Sequence, residues 1–432
     1  MTKSTSSFSW EVAAFQPSIF DKMERQGFST RVIHTKYAKK DVHNALQMPI
    51  YSNAAFEFDT AEQMEDAFLG RSPDHAYSRI SNPTVENFEQ RIRSITGALG
   101  VTAVSSGMAA ISNVFFTIAK SGDNIVTSRY LFGNTYSFLT STLQAFGVET
   151  KFCDLTNSKE VANAIDEKTI AIFFETVTNP QLEIADIASL SKVAKEQGVL
   201  LIADSTLTPP NIFVASKFGV DIEIISSTKM ITGGATSMGG LLLDYGQFDW
   251  SKFTKLSDLA QRFGPYTFNA KLRKEIFRNL GACLSPYHAY LQSLGLETLS
   301  LRFDKAAFNT LLLAEYLQTE GKITNVNYPG LKTSKFHEVG KKQFGNYPGA
   351  ILTFNFNRRE ECFEFLNKLR LISRASNIYD NRSLIIHPAS TIFADYSPEK
   401  KEELGVPDTL IRLSVGIEDF EDLKNDIHSA LI

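Results

Sequence analysis

The chain has 432 residues, 43% hydrophobic and 21% charged, with a formal net charge of −4. That length exceeds what one hydrophobic core usually serves, so a large domain and a smaller one are expected, while 33 Phe and 14 Tyr supply cores and a subunit interface. The absence of a broad basic field argues against nucleic acid or an anionic membrane as partner, and the three scattered cysteines, Cys153, Cys283 and Cys362, argue against a disulfide framework and a cysteine zinc site.

Residues 1–30 open on a Ser/Thr cluster and carry Glu11, Asp21 and Glu24, without an apolar run of signal-peptide length. With the unpaired cysteines this fits a reducing cytoplasm. The first eighty residues show extended pieces around Met48–Phe58 but no regular alternation, as in an arm that wraps a partner subunit. Within it, Tyr77-Ser78-Arg79 in extended backbone puts a phenol and a guanidinium on one side, both able to grip a phosphate. A solvated Arg is the plain alternative.

The uncharged stretch from Ser94 to Ala119 has the length of a membrane span. It is interrupted by Gly97, Gly100, Ser105, Ser106, Gly107 and Asn113, and reads instead as a strand, a turn and a helix. Ser105-Ser106-Gly107-Met108 lies at that turn, where the amides of Gly107 and Met108 would meet an anion at the helix start. A tight structural turn fits the same residues. No G-x-x-x-x-G-K-[ST] or G-x-G-x-x-G pattern accompanies it, so a nucleotide reading lacks its fingerprint.

Strand-sized apolar runs follow at Val101–Val104, Asn124–Thr127, Ile170–Phe174, Val199–Ala203, Ile222–Ile225 and Gly240–Leu243. Helical spacing separates them at Ala109–Ala119, Thr135–Phe146 and Ile187–Gln197, which predicts an α/β fold with a mainly parallel sheet covered on both faces. Ligands of such sheets bind beyond the carboxyl ends of the strands. Two of the runs end in chemistry. Val199–Ser205 stops abruptly at Asp204, a carboxylate that needs a partner such as a protonated pyridine nitrogen, a helix N-cap or a metal. One strand-helix-strand unit later, Ser226-Ser227-Thr228-Lys229 runs into Gly233-Gly234. A lysine there can form an imine with an aldehyde cofactor while the hydroxyls donate to its phosphate; a solvated lysine before a glycine turn is the bland reading.

After about Gly281 the pattern shifts to longer helices, Pro286–Phe303 and Ala306–Thr319, and short strands, Ala350–Asn355, Arg382–Ile386 and Ile411–Val415. We therefore expect an intersubunit arm over 1–80, a large domain over 81–280 and an α+β domain over 281–432. Arg412 stands in the otherwise apolar LIRLSVG, suggesting a substrate carboxylate or a structural ion pair as partner. His337-Glu338 starts like a zinc-protease helix, but position 341 is Lys, so no metal site is expected, and no G-x-S-x-G elbow supports a hydrolase.

Together, YSRISNPT (Tyr77–Thr84), SSGMAA (Ser105–Ala110), ETVTNP (Glu175–Pro180), ADST (Ala203–Thr206), SSTK (Ser226–Lys229) and RLSVGIED (Arg412–Asp419) resemble the fold-type I pyridoxal-phosphate enzymes of cysteine and methionine metabolism, from about Phe28 to the C-terminus. The resemblance implies a large domain built on a seven-stranded, mainly parallel sheet and a smaller α+β C-terminal domain. It implies pyridoxal 5′-phosphate as a Schiff base on Lys229, Asp204 at the ring nitrogen, and Ser106, Gly107, Met108, Ser226 and Thr228 around the phosphate. Tyr77 and Arg79 would reach the neighbouring subunit's cofactor, in a homodimer usually assembled into a homotetramer. Asn179, Ser376 and Arg412 match positions near the cofactor hydroxyl and the amino-acid carboxylate.

The stretches Thr236–Trp250, Leu280–Arg302 and Leu384–Thr391 are most similar to the O-acetylhomoserine sulfhydrylases of that family. This implies a small amino-acid substrate, a sulfur donor and γ-replacement, O-acetyl-L-homoserine plus sulfide giving L-homocysteine plus acetate. Phe132 stands where many members stack a Tyr on the ring, which keeps stacking but removes a phenolic acid; it resembles the O-succinylhomoserine branch. Ile225 and Gly234 replace histidines, Tyr379 a glycine, and Ile392-Phe393 a Thr-His pair. A methionine or cystathionine γ-lyase, a cystathionine γ-synthase and a cofactor-binding protein without turnover are the alternatives.

Overall fold

A computed structural model describes residues 26–35, 37 and 41–432, so the Ser/Thr cluster and the first part of the leading arm lie outside the described residues. Seven strands make the first sheet: β1 (Gly100–Val104), β2 (Asn124–Thr127), β3 (Glu149–Phe152), β4 (Thr169–Glu175), β5 (Leu200–Asp204), β6 (Ile222–Ile225) and β7 (Gly240–Asp244). Their order across the sheet is β1-β7-β6-β5-β4-β2-β3. All six apolar runs become strands. The seventh, β3, carries no apolar run; it sits at the sheet edge, where a strand needs only one paired side and ETKF suffices.

The pairings β2–β3, β2–β4, β4–β5 and β5–β6 are parallel, and β7 runs antiparallel to both β1 and β6. The carboxyl ends of β1, β4, β5 and β6 consequently share one edge, and β7 starts from it. Helices cover the sheet, with caps readable in the residues. Asp186 accepts from the Ala188 and Ser189 amides to start Ile187–Gln197, and Gly198 at φ 69° ends it. Asn82 and Pro83 open Pro83–Thr96, whose Phe88, Ile92 and Ile95 are buried in the same core as Val101 and Ala103 of β1.

Two helix expectations are corrected. The predicted helix Thr135–Phe146 starts earlier, as Gly133–Ser137, and widens into a π turn over Phe138–Leu143. The expected break between Phe303 and Ala306 falls instead at Thr298, between helices Pro286–Glu297 and Leu299–Leu317. There the Gly295 carbonyl accepts from the Thr298 amide at 3.3 Å and from the Arg302 guanidinium at 2.6 Å, which together close the helix end.

The second sheet is smaller, with β8 (Asn325–Asn327), β9 (Ile351–Asn355), β10 (Ser373–Arg374), β11 (Leu384–Ile386) and β12 (Leu410–Ser414) in the order β10-β11-β12-β9-β8. Its core joins Leu352, Phe354, Ile385, Ile411 and Leu413 to Leu313 and Leu317 of one helix and Leu423 and Ile427 of the last. The architecture is thus α/β with a large mainly parallel sheet and a smaller α+β layer. Among the described residues no helix is long and apolar enough to cross a membrane.

Candidate active site

The common edge of β1, β4, β5 and β6 collects most of the residues singled out by sequence. After β1, Ser106 caps helix Gly107–Ile118 by accepting from the Ala109 amide at 3.0 Å, a cap worth about 1 kcal/mol. This leaves the first amides of the helix, those of Gly107 and Met108, free of intrahelical partners. The turn is crowded: a Cβ on Gly107 would stand 2.8 Å from the Ser226 Cβ, and one on Gly240 would run into the Ser106 carbonyl. Only glycine lets the two loops approach this closely.

Ser226 follows β6 and its amide donates to the Thr206 hydroxyl at 2.9 Å. Thr228 is turned to the start of β7: its hydroxyl donates to the Gly239 carbonyl at 3.1 Å and accepts from the Gly239 amide at 3.0 Å. Between them the Ser227 hydroxyl is buried without a partner. Ser106, Gly107, Ser226 and Thr228 are thus brought side by side at two strand ends and the beginning of a third strand, with Met108 next along the helix.

Asp204 ends β5, and its carboxylate accepts from the Thr206 amide at 3.0 Å. Burial pushes its carboxyl above the ordinary aspartate range, and among the described residues no cation faces it to repay the lost hydration. Glu175, opposite Asp204 in the parallel register, is buried too. Desolvation first, then repulsion from Asp204, holds its carboxyl well above the ordinary range. Glu175 accepts from the Phe132 amide at 2.7 Å, which fixes the turn that carries the Phe132 ring.

The Lys229 amine donates to the Oδ1 of Asn377 at 2.7 Å. Burial, then the field of Arg412, lowers it from its ordinary range to about 8. Arg412, in the middle of β12, is only 2% exposed. It donates to Asn179 Oδ1 at 3.1 Å and to the Ser376 and Asn377 carbonyls at 3.0 and 3.4 Å, while its Nε has no partner. Among the described residues no acidic side chain forms an ion pair with it, and desolvation brings it down to about 9. Asn179, Ser376 and Arg412 are thus brought together, with Ser376 contributing its backbone. The structural ion pair considered for Arg412 is not formed.

Tyr77 and Arg79 do not join this cluster. Tyr77 is 40% exposed, and the Arg79 guanidinium lies over its ring at 5.4 Å and donates to the Arg278 carbonyl at 2.6 Å. Of the replaced positions, Ile225 is buried in the sheet core and Phe393 packs with Leu404, Val406 and Leu410. Ile392 presents its carbonyl to Gly133, beside Phe132, and Gly234 faces Thr236 and Asn381. Tyr379 takes a left-handed φ of 53°, with its hydroxyl donating to the Leu207 carbonyl at 2.6 Å and its amide to Ser414 Oγ at 2.8 Å. His337 opens helix His337–Phe344 with the Glu338 carboxylate 4.0 Å from its Nε2; among the described residues no group of three or more His, Cys, Asp and Glu is arranged for a metal.

Sequence reasoning missed two of the site's neighbours. Glu175 carried the same signal as Asp204, an acid ending an apolar strand, and could have been found by that logic. Asn377 carried none.

A family model for Cys/Met metabolism PLP-dependent enzymes matches residues 29–432. O-acetyl-L-homoserine sulfhydrylase 1 of Thermus thermophilus is 35% identical over 418 residues, covering 94% of this chain and 99% of the relative. Among solved structures, the O-acetylhomoserine sulfhydrylase of Wolinella succinogenes is 46% identical with a TM-score of 0.73, over 82% of this chain and 98% of that one. A putative O-acetylhomoserine (thiol)-lyase of Campylobacter jejuni, bearing N′-pyridoxyl-lysine-5′-monophosphate, is 33% identical with a TM-score of 0.88, over 94% of this chain and 100% of that one.

Proposed function

Because the chain belongs to the Cys/Met metabolism PLP-dependent enzyme family, we propose that it carries out γ-replacement in methionine biosynthesis, converting O-acetyl-L-homoserine and sulfide into L-homocysteine and acetate. The observation that carries this reading is the buried Arg412 guanidinium, held by neutral acceptors and short of an anion, and joined to Lys229 through the 376–377 segment that both of them contact. An α-carboxylate supplies the missing charge and brings the substrate to the lysine.

The residues fit pyridoxal 5′-phosphate. Among the described residues Asp204 has no cation beside it, the deficit that a protonated pyridine nitrogen fills, and the glycines at 107 and 240 let the Ser106 and Ser226 turns come together, where the unpartnered Gly107 and Met108 amides and the Ser226 hydroxyl can meet a phosphate. When bound, the cofactor supplies an electrophilic aldehyde carbon and a ring that draws electrons from the substrate's Cα.

The chain's own residues would then act as follows. Ser106, Gly107, Met108, Ser226 and Thr228 hold the phosphate through amides and hydroxyls at a helix start. Asp204 keeps its charge at the ring nitrogen, and Phe132 covers one ring face. Arg412 grips the α-carboxylate with Asn179 and the Ser376 segment beside it. Lys229 Nζ, neutral for much of the time near pH 8, takes the Cα proton and hands protons on as the acetyl group departs from Cγ. Phe132 offers no phenolic proton, which favours replacement over elimination.

Tyr77 and Arg79, exposed and turned from Lys229, would complete the site of a second subunit, making a homodimer the catalytic unit and a homotetramer its assembly. The exposed Met64, Phe68 and Leu69 of helix Ala61–Leu69, which buries none of its residues here, support such an interface. We place the enzyme in the cytoplasm. The test is incubation with O-acetyl- and O-succinyl-homoserine, with and without sulfide, following homocysteine and 2-oxobutyrate. Homocysteine should form from the acetyl ester only with sulfide; 2-oxobutyrate formed as fast from methionine would overturn the reading.

A further inference from the structure

The side chain in contact with the Lys229 amine is Asn377, whose Oδ1 accepts from Nζ at 2.7 Å. We propose that Asn377 is a positioning residue: its neutral carboxamide holds one N–H of Lys229 so that the lone pair is turned toward the substrate's Cα without acquiring an anionic partner. The inference rests on the reading of Lys229 as the proton carrier.

A neutral amine has two N–H bonds and one lone pair, so fixing one N–H restricts where the lone pair points. The holder must itself be fixed, and Asn377 is. Its carbonyl accepts from Arg412 Nη2 at 3.4 Å and that of Ser376 from the same nitrogen at 3.0 Å. On its other side Ile378 and Tyr379 are buried, and Tyr379 is pinned by its amide to Ser414 and by its hydroxyl to Leu207. The peptide that helps to seat Arg412 therefore also aims Lys229, which ties recognition of the carboxylate to orientation of the base.

The acceptor's charge matters as much as its place. A carboxylate at 2.7 Å would favour the ammonium form, whereas the carboxamide leaves the amine to burial and to the field of Arg412, from β12, which together bring it down to about 8. The acidic groups on neighbouring strand ends, Asp204 of β5 and Glu175 of β4, accept from the Thr206 and Phe132 amides, and among the described residues neither is hydrogen-bonded to the amine.

The test uses the full-length holoenzyme carrying Asn377→Asp or Asn377→Leu. Replacing the carboxamide by a carboxylate should raise the midpoint of the pH titration of the bound chromophore by at least about one pH unit. The leucine variant should exchange the substrate's Cα proton with deuterated solvent about 10- to 100-fold more slowly, with substrate KM nearly unchanged because Arg412 is intact. An unmoved chromophore titration, together with exchange within about twofold of the parent, would overturn the inference. Borohydride reduction and peptide mapping separate the two levels. A pyridoxyl label on Lys229 with those unmoved values sinks the role of Asn377 alone, and a label elsewhere sinks the functional reading with it.

Discussion

Removing the guanidinium of Arg412 separates binding from folding. The group is 2% exposed, makes three hydrogen bonds to neutral acceptors, and has desolvation as the cause of its lowered basicity. A carboxylate docking there gains two charge-assisted hydrogen bonds, each worth about 1.5–3 kcal/mol, so Arg412→Leu should forfeit about 3–5 kcal/mol of substrate binding. At about 1.4 kcal/mol per decade, that is a rise in KM for O-acetylhomoserine of about 10²- to 10³-fold. Arg412→Lys keeps the charge but loses the fork and should cost about 10- to 100-fold.

Stability should respond differently. Leucine abolishes the desolvation cost of a charge that no acid offsets, and against that loses hydrogen bonds to Asn179 and the Ser376 segment, so the net change should stay near about 1 kcal/mol, or about 1–2 °C in Tm. Initial rates over a range of substrate concentration, with thermal unfolding of the same preparations, measure both. An Arg412→Lys protein with unchanged KM, or an Arg412→Leu protein that melts more than about 10 °C early, would refute the assignment and make Arg412 a structural residue.

Tyr379→Phe removes the hydroxyl that donates to Leu207 and accepts from the Ala350 amide at 3.3 Å, leaving buried backbone groups unpaired at a cost of about 2–3 kcal/mol, readable as an earlier melt. Phe132→Tyr restores a phenol above the ring and should raise 2-oxobutyrate release relative to homocysteine by about tenfold, measured by mass spectrometry of both products. Cofactor-free protein should reload faster as pH rises, because only the neutral Lys229 amine attacks the aldehyde. With the amine brought down to about 8, the rate followed by absorbance should climb up to that pH and level off above it, instead of still climbing at pH 10. Gly107→Ala drives a methyl to within 2.8 Å of Ser226 and should weaken cofactor binding, by about 1–3 kcal/mol, in equilibrium dialysis.

The strands were legible because burial on both faces demands continuous apolar runs, and the candidate site because it occupies the points where those runs stop: Ser106 after β1, Asp204 closing β5, Ser226 after β6. Edge strand β3 and the two-residue β10 had no such run to betray them. The seat of Arg412 depends on carbonyls of residues 376–377, a tertiary fact with no local signature. Asn377 escaped notice for the same reason. Its importance comes from the 148 positions that separate it from Lys229 in the chain and the single hydrogen bond that joins them in space.

The phenol of Tyr379 has a mechanical consequence. By reaching from the second sheet's side to the Leu207 carbonyl, just past Asp204, it rivets the loop that carries Asn377 to the loop that carries the acid. A hinge opening along that line would have to break this rivet, so the two sheets should travel as one body during turnover. The Phe132–Gly133 turn is tied separately, by the Phe132 amide to a Glu175 carboxyl oxygen and by the Tyr396 hydroxyl to the Gly133 carbonyl.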